Sequence, residues 1–387
     1  MLFVFHKPSQ QDIMDKKIKF ISTLTPLRGL AAIWVVVFHF DAFMTFGPGK
    51  EGLMSKETTM LIGNGYLLVD FFFLLSGFII CHVYGDKLTQ RNKGVAKNYL
   101  WARFSRLYPL HLFALLFLFL QFLTLSSLSA EYFEDNKGFF PVFDFFVYLF
   151  MGQSSGILSD YSWNLPSWSI AAEWWTYIIA IFIIPIINKG SSRITYLFWA
   201  ISIVGLIALV YFNENGNLDY TLNFGTLRCL FEFVIGLGIY QVYKKVKDSE
   251  TFWKSDWAFY ISVFGSYVLL HLDIHDVLVL VFFSGVILSA SLNTGKPYKI
   301  LNIKPLQFLG DISYSIYLLQ LFWLLLWNTY MKVNYPDGVP GTSTNLMMLG
   351  ILLFALIINA YLTYRYIEIP FQKMLRRKKP KEKIILE

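Results

Sequence analysis

GYLLVDFFFLLSGFIICH, residues 65–82, is an eighteen-residue run that holds one charge, Asp70, and no proline. Wound as a helix at 1.5 Å per residue it covers about 27 Å, close to the ~30 Å hydrocarbon thickness of a bilayer. Nine further stretches of comparable length and apolarity accompany it, so that candidate spans fall near 21–42, 64–84, 104–128, 168–188, 193–212, 222–243, 256–271, 275–292, 311–331 and 345–366. Another apolar stretch, Pro141 to Met151, is too short to cross and reads as a re-entrant or interfacial piece. The expected fold is all-α: a polytopic membrane protein with about ten transmembrane helices and one short re-entrant or interfacial segment.

Composition leads to the same class. Of 387 residues 56% are hydrophobic and 15% charged, where an ordinary soluble domain carries about 25% charged residues. Because the apolar runs recur along almost the whole length, one oversized soluble core does not absorb them, and membrane lipids are the expected surroundings. The net charge of +7 is gathered in short connections between apolar runs. That pattern speaks for membrane orientation and against nucleic acid as a partner. With the N-terminus inside, the Lys/Arg-rich connections DKLTQRNKGVAKNYLWARFSR, NKGSSR, YKKVKDSETFWK, NTGKPYKILNIK and the tail RRKKPKEK all fall on one side. The opposite side receives residues 43–63, AEYFEDNKG, NENGNLDY, LDIHD and KVNYPDGVPGTSTN, which are poorer in Lys/Arg and often acidic. Counting 141–151 as a crossing would invert every later loop, so ten spans satisfy the positive-inside rule and eleven do not.

The expected organisation is a cytoplasmic N-terminal segment (1–20), a membrane domain (21–366) and a basic cytoplasmic tail (367–387). The first twenty residues have no small-residue cleavage site and are expected to stay on the mature protein. Cys81 and Cys229 both lie in apolar segments without metal-ligand spacing, so they read as core thiols and no metal is expected. There is no internal repeat and no loop long enough for a soluble domain, so the chemistry is expected of the membrane domain or a partner.

Ionisable residues inside spans cost at least ~2.5 kcal/mol each on insertion scales and are functional candidates for that reason. LTPLRGLAAIWVVVFHFD (24–41) carries Arg28 and His39 eleven positions apart. Eleven steps of 100° return to nearly the same helix face about 16 Å further along. Asp70, a turn or two below the outer surface, and Glu173 in WSIAAEWWTYIIAIF, read as level with His39. A carboxylate beside an imidazole can hold its tautomer and stabilise the imidazolium, as general-base chemistry requires. At the inner surface Arg28, Arg103, Arg106, Arg365 and Glu368 gather, where guanidinium groups suit the phosphates of a cytoplasmic donor. The plainer alternatives stay open. His39 can be a packed residue bonded to a backbone carbonyl, Asp70 and Glu173 can brace neighbouring helices, and Arg103 and Arg106 can anchor on lipid phosphates. His6, His82, His111, His271 and His275 read as inert residues at helix ends or in loops.

At these positions the chain resembles the acyltransferase-3 family of membrane acyltransferases over nearly its whole length. The resemblance rests on Arg28 and His39 in TPLRGLAAIWVVVFHF, VDFFFLLSGF (69–78), RFSRLYPL (103–110) and WSIAAEWWTY (168–177), and further on LGDISYSIYLLQ (309–320) and YRYIEIP (364–370). It implies transfer of an acyl group, acetyl most commonly, from acyl-CoA (acetyl-CoA) to a hydroxyl of a cell-surface carbohydrate or lipid-linked glycan. His39, Asp70 and Glu173 are then the expected catalytic residues and Arg28, Arg103 and Arg106 the expected acyl-CoA-binding ones. Asn164, Trp168 and Ser169 are expected to bind substrate, while Tyr314, Glu368 and Pro370 complete the motifs. Where the family often has His, this chain has Gln320.

A transporter or flippase of a polar lipid or acyl group is the rival class, since intramembrane charges also line transport routes. The inverted repeats and paired broken helices of transporters are not evident in the sequence. Acyl length, acceptor and oligomeric state, a homo-oligomer included, are left open.

Overall fold

The computed structural model describes residues 20–45, 53, 58–334 and 342–376. The expected segment 1–20, apart from Phe20, and the tail beyond Arg376 lie outside the described residues. Among those described, the regular structure is helical throughout, in fifteen α-helices. They are α1 (Leu24–Thr45), α2 (Leu68–Thr89), α3 (Lys93–Leu128), α4 (Ala130–Asn136), α5 (Val142–Leu149), α6 (Trp168–Lys189), α7 (Ser192–Phe212) and α8 (Gly225–Val246), followed by α9 (Asp256–His271), α10 (Asp276–Leu292), α11 (Lys296–Leu301), α12 (Lys304–Asp311), α13 (Ser313–Asn334), α14 (Thr342–Thr363) and α15 (Ile369–Arg376).

Seven helices are long and apolar enough to cross a membrane, and eight if the bent pair α12 and α13 is one span. The protein is thus an all-α polytopic membrane protein. Each of the ten expected spans is helical, but α9 and α10 have 16 and 17 residues, about 24 and 26 Å against a hydrocarbon thickness of about 30 Å. Length alone therefore supports seven or eight crossings rather than ten. α5 has eight residues and exposes Val142, Phe143 and Phe146, as a short amphipathic interfacial piece does.

α3 starts at Lys93, earlier than its apolar run, because the Asn92 side chain accepts from Gly94 N–H and caps it. His111 therefore lies inside this helix rather than at an end. It is fully buried, and its Nε2 is 2.8 Å from Tyr148 O, which ties α3 to α5.

α2 is buried on two faces. Val69, Phe73 and Ile80 join one apolar cluster with residues of α3, α6 and α13, while Phe71, Leu74 and Phe78 join a second with residues of α10. That accounts for its hydrophobicity all round. Its partner α8 approaches closely because both helices lack side chains at the crossing. A Cβ on Gly77 would stand 2.1 Å from Phe233 O, and one on Gly236 2.1 Å from Leu74 O. On the outside of the molecule, α7 exposes Leu197, Ile201 and Val204, side chains that a bilayer rather than water accommodates.

Candidate active site

Five helices, α1, α2, α3, α6 and α13, surround a cavity of about 120 Å³ whose lining mixes apolar side chains with charged and hydroxyl groups. Arg28, Arg103 and Arg106 line it, with Glu173, Ser76, Ser169 and the tyrosines Tyr177, Tyr314 and Tyr317. The 65° bend between α12 and α13 falls within the LGDISYS stretch, so α13 opens with Ser313 and Tyr314 in the cavity wall.

The charges are held by hydrogen bonds and aromatic faces. Glu173 accepts from Ser76 Oγ at 2.7 Å and from the Tyr177 hydroxyl. Arg103 donates to Tyr84 Oη at 3.2 Å, and its guanidinium lies 5.2 Å from the Tyr84 ring centre and 5.9 Å from that of Tyr177. Arg106 is 3.6 Å from Glu368 Oε1 and 5.7 Å from the Tyr314 ring centre. Glu368 is 2% exposed and also accepts from Ser315 Oγ and Gln372 Nε2. It ends the π-helical turn Tyr364–Glu368 that leads into α15. Pro370 and Arg365 are exposed outside the cavity. The cavity thus gathers three guanidinium groups and the Glu173 carboxylate, with Glu368 paired to Arg106 behind its lining, and guanidinium groups are the donors that can take up anionic or polarised oxygen.

His39, Asp70 and Glu173 are not hydrogen-bonded to one another. His39 Nδ1 is 2.9 Å from Val35 O and 3.1 Å from Gln320 Oε1, so an amide and a backbone carbonyl stand where a carboxylate was expected. Asp70 turns to α8, where Arg228 Nε and Nη2 each donate to its carboxylate at 2.6 Å with both side chains fully buried. Glu173 lies with the arginines in a cavity that His39 does not line. The turn before α6 is itself buried at Asn164 and Ser167.

Of the expected substrate-binding residues only Ser169 lines the cavity, with Tyr317 Oη 2.7 Å from its Oγ. Asn164 is fully buried and donates to Leu318 O at 3.2 Å. The Trp168 ring packs under the Arg228 guanidinium at 5.4 Å. Both brace the entry to α6.

A second, polar cavity of about 490 Å³ is lined by Phe38, Asp41, Asn64, Tyr66, Asp219 and Asp276 among others. His39 lines neither cavity. Phe38, its neighbour in sequence, lines the second, and Tyr317, three residues before Gln320, lines the first. Among the described residues no group of three His, Cys, Asp or Glu side chains is placed to hold a metal ion.

Sequence reasoning missed Arg228 and Glu232, four apart in α8 and both fully buried. The rule that singled out Asp70 applies equally to charges in the expected span 222–243 and could have found them. Ser76, Tyr177 and Tyr317 carry no charge, and no comparable signal points to them.

A family model described as an acyltransferase domain matches residues 23–365. The chain is 25% identical over 92% of its length to a protein of Staphylococcus aureus (strain COL) named "Putative O-acetyltransferase", and spans 58% of that protein. It is 27% identical over 43% of its length to an acyltransferase of Streptomyces mycarofaciens, covering 39% of that protein. To "Protein 2 in picA locus" of Rhizobium radiobacter it is 36% identical over 27% of its length, covering 48% of that protein. The chain thus spans about half the length of the curated relatives it matches. No solved structure matches it.

Proposed function

The chain belongs to the acyltransferase-3 family, and from that premise we propose that it moves an acyl group from acyl-CoA to a hydroxyl of a cell-surface carbohydrate or lipid-linked glycan. The name of the staphylococcal relative favours acetyl as the group. The observation that carries the reading is the cavity that gathers Arg28, Arg103 and Arg106 beside Glu173 in the interior of the helical bundle. At about 120 Å³ it suits the thioester end of the donor rather than the nucleotide. The phosphates are then left to the half-exposed Arg106 and its neighbour Arg103, in keeping with a donor that enters from the cytoplasm. The residue 21–366 membrane domain carries the chemistry, with both termini cytoplasmic.

His39 Nε2 takes the proton of the acceptor hydroxyl, which approaches from the side of the second cavity. The acceptor oxygen then bonds to the thioester carbon as the C–S bond breaks, and the departing thiolate receives the proton from Nε2. General-base assistance of this kind is worth about 10²–10⁴-fold.

The test is transfer of label from [14C]acetyl-CoA to the cell-envelope fraction by protein purified into lipid. His39→Ala is expected to abolish transfer while inserting and melting like the parent. Arg106→Ala is expected to raise KM for acetyl-CoA several-fold with kcat little changed. Full turnover by His39→Ala would remove the base from the mechanism. An unchanged KM in Arg106→Ala would move the donor elsewhere.

A further inference from the structure

Gln320 on α13 is fully buried, and its amide can face only one way. Its Nε2 donates to Tyr317 O at 2.8 Å. A carbonyl oxygen only accepts, so turning the amide over would set Oε1 against another acceptor. Oε1 is therefore the atom 3.1 Å from His39 Nδ1. The other neighbour of that nitrogen, Val35 O at 2.9 Å, is likewise an acceptor. Standing between two acceptors, Nδ1 carries the hydrogen, and in the neutral ring the lone pair is left on Nε2.

We propose that Gln320 is a positioning residue for the acyl transfer: by accepting from His39 Nδ1–H it locks the imidazole in the tautomer and rotation that present a basic Nε2 to the acceptor hydroxyl. The proposal rests on the reading of His39 as the base. Val35 O lies one turn back on the same helix and ties the ring only to α1. Gln320 ties it to α13, the helix whose preceding turn supplies Tyr317 to the donor cavity. An amide adds no negative charge, so this residue works by geometry rather than by stabilising the imidazolium. Where an aspartate does the same for a catalytic histidine, replacing it by asparagine gives the wrong tautomer and costs about 10⁴-fold in kcat. Here Val35 O remains in place, and the expected loss is smaller.

Parent, His39→Ala, Gln320→Leu and Gln320→Glu are purified into lipid and assayed with [14C]acetyl-CoA, with thermal melting alongside. Gln320→Leu is expected to lower kcat by about 10-fold or more with KM for acetyl-CoA within about twofold. Gln320→Glu, kept neutral by burial, retains an oxygen acceptor for Nδ1–H and an O–H donor for Tyr317 O, and should recover most of the rate. Should Gln320→Leu fail to fold, Gln320→Met is read in its place. In 15N-histidine-labelled protein the His39 resonances, identified by their absence in His39→Ala, should report hydrogen on Nδ1 in the parent and mixed tautomers in the leucine variant. Parental kcat in the apolar variant, equal losses in the apolar and glutamate variants, or hydrogen on Nε2 in the parent would each overturn the role given to Gln320 while leaving His39 as base. Turnover by His39→Ala would instead remove the base, whatever the tautomer.

Discussion

Arg228 has no exposed surface and meets carboxylate and carbonyl oxygen around its edge and the Trp168 and Tyr66 rings beside it. Asp70 holds it bidentately, Glu232 Oε1 and Asp219 Oδ1 lie 3.9 Å away, and Tyr220 O accepts at 3.1 Å. Such an arrangement contributes less than its contacts suggest, because desolvation opposes the attraction, but removing one partner strands the other charge. Arg228→Ala and Asp70→Ala are each expected to cost about 3–5 kcal/mol, read as a lowered melting temperature in detergent. The double replacement Asp70→Leu, Arg228→Met should be clearly more stable than either single variant. If the single changes melt like the parent, the pair has another purpose. The contrast with His39 is chemical: its partners are a neutral amide and a backbone carbonyl, which orient without adding charge.

Helix pairing in this protein is decided where side chains are missing. α2 and α8 meet at Gly77 and Gly236, where an added Cβ faces backbone oxygen at 2.1 Å rather than a side chain able to yield. In a membrane such close approach supplies the packing that the hydrophobic effect does not. Gly236→Val is expected to push the helices apart and destabilise by at least about 1–3 kcal/mol, visible as a fall in melting temperature and in monodisperse yield. Gly350→Val in α14 serves as the control, since a Cβ there meets nothing within 4 Å, and should change neither. Equal effects at the two positions would mean that the loss reflects valine in a membrane helix and not the crossing. The same separation of Asp70, on the α8 side of α2, from Ser76, which faces α6 and Glu173, explains why two polar residues six apart on one helix serve different neighbours.

At the scale of the whole molecule, the distribution of Lys and Arg carries the expectation of which helix ends face the cytoplasm. Lys247→Cys, in the basic connection after α8, is expected to resist a membrane-impermeant maleimide in intact cells, and Asn215→Cys, between α7 and α8, to react. Cys81 and Cys229 are buried and leave little background. Labelling of the first and protection of the second would reverse the orientation. The sequence by itself determined the helical membrane class, most of the span positions and the family, because span length, apolarity and motif order are local properties of the chain. It also singled out Arg28 and Glu173, since a charge in an apolar run is conspicuous without its neighbours, and Arg103 and Arg106 through the motif RFSRLYPL. Only the tertiary structure decided which charge meets which: that Asp70 belongs to Arg228, that Glu173 shares a cavity with the arginines, and that Gln320 stands beside His39. The span pattern leaves each helix free to turn about its axis and shift in depth, and the pairing of buried charges is fixed only when glycine crossings and bends set both.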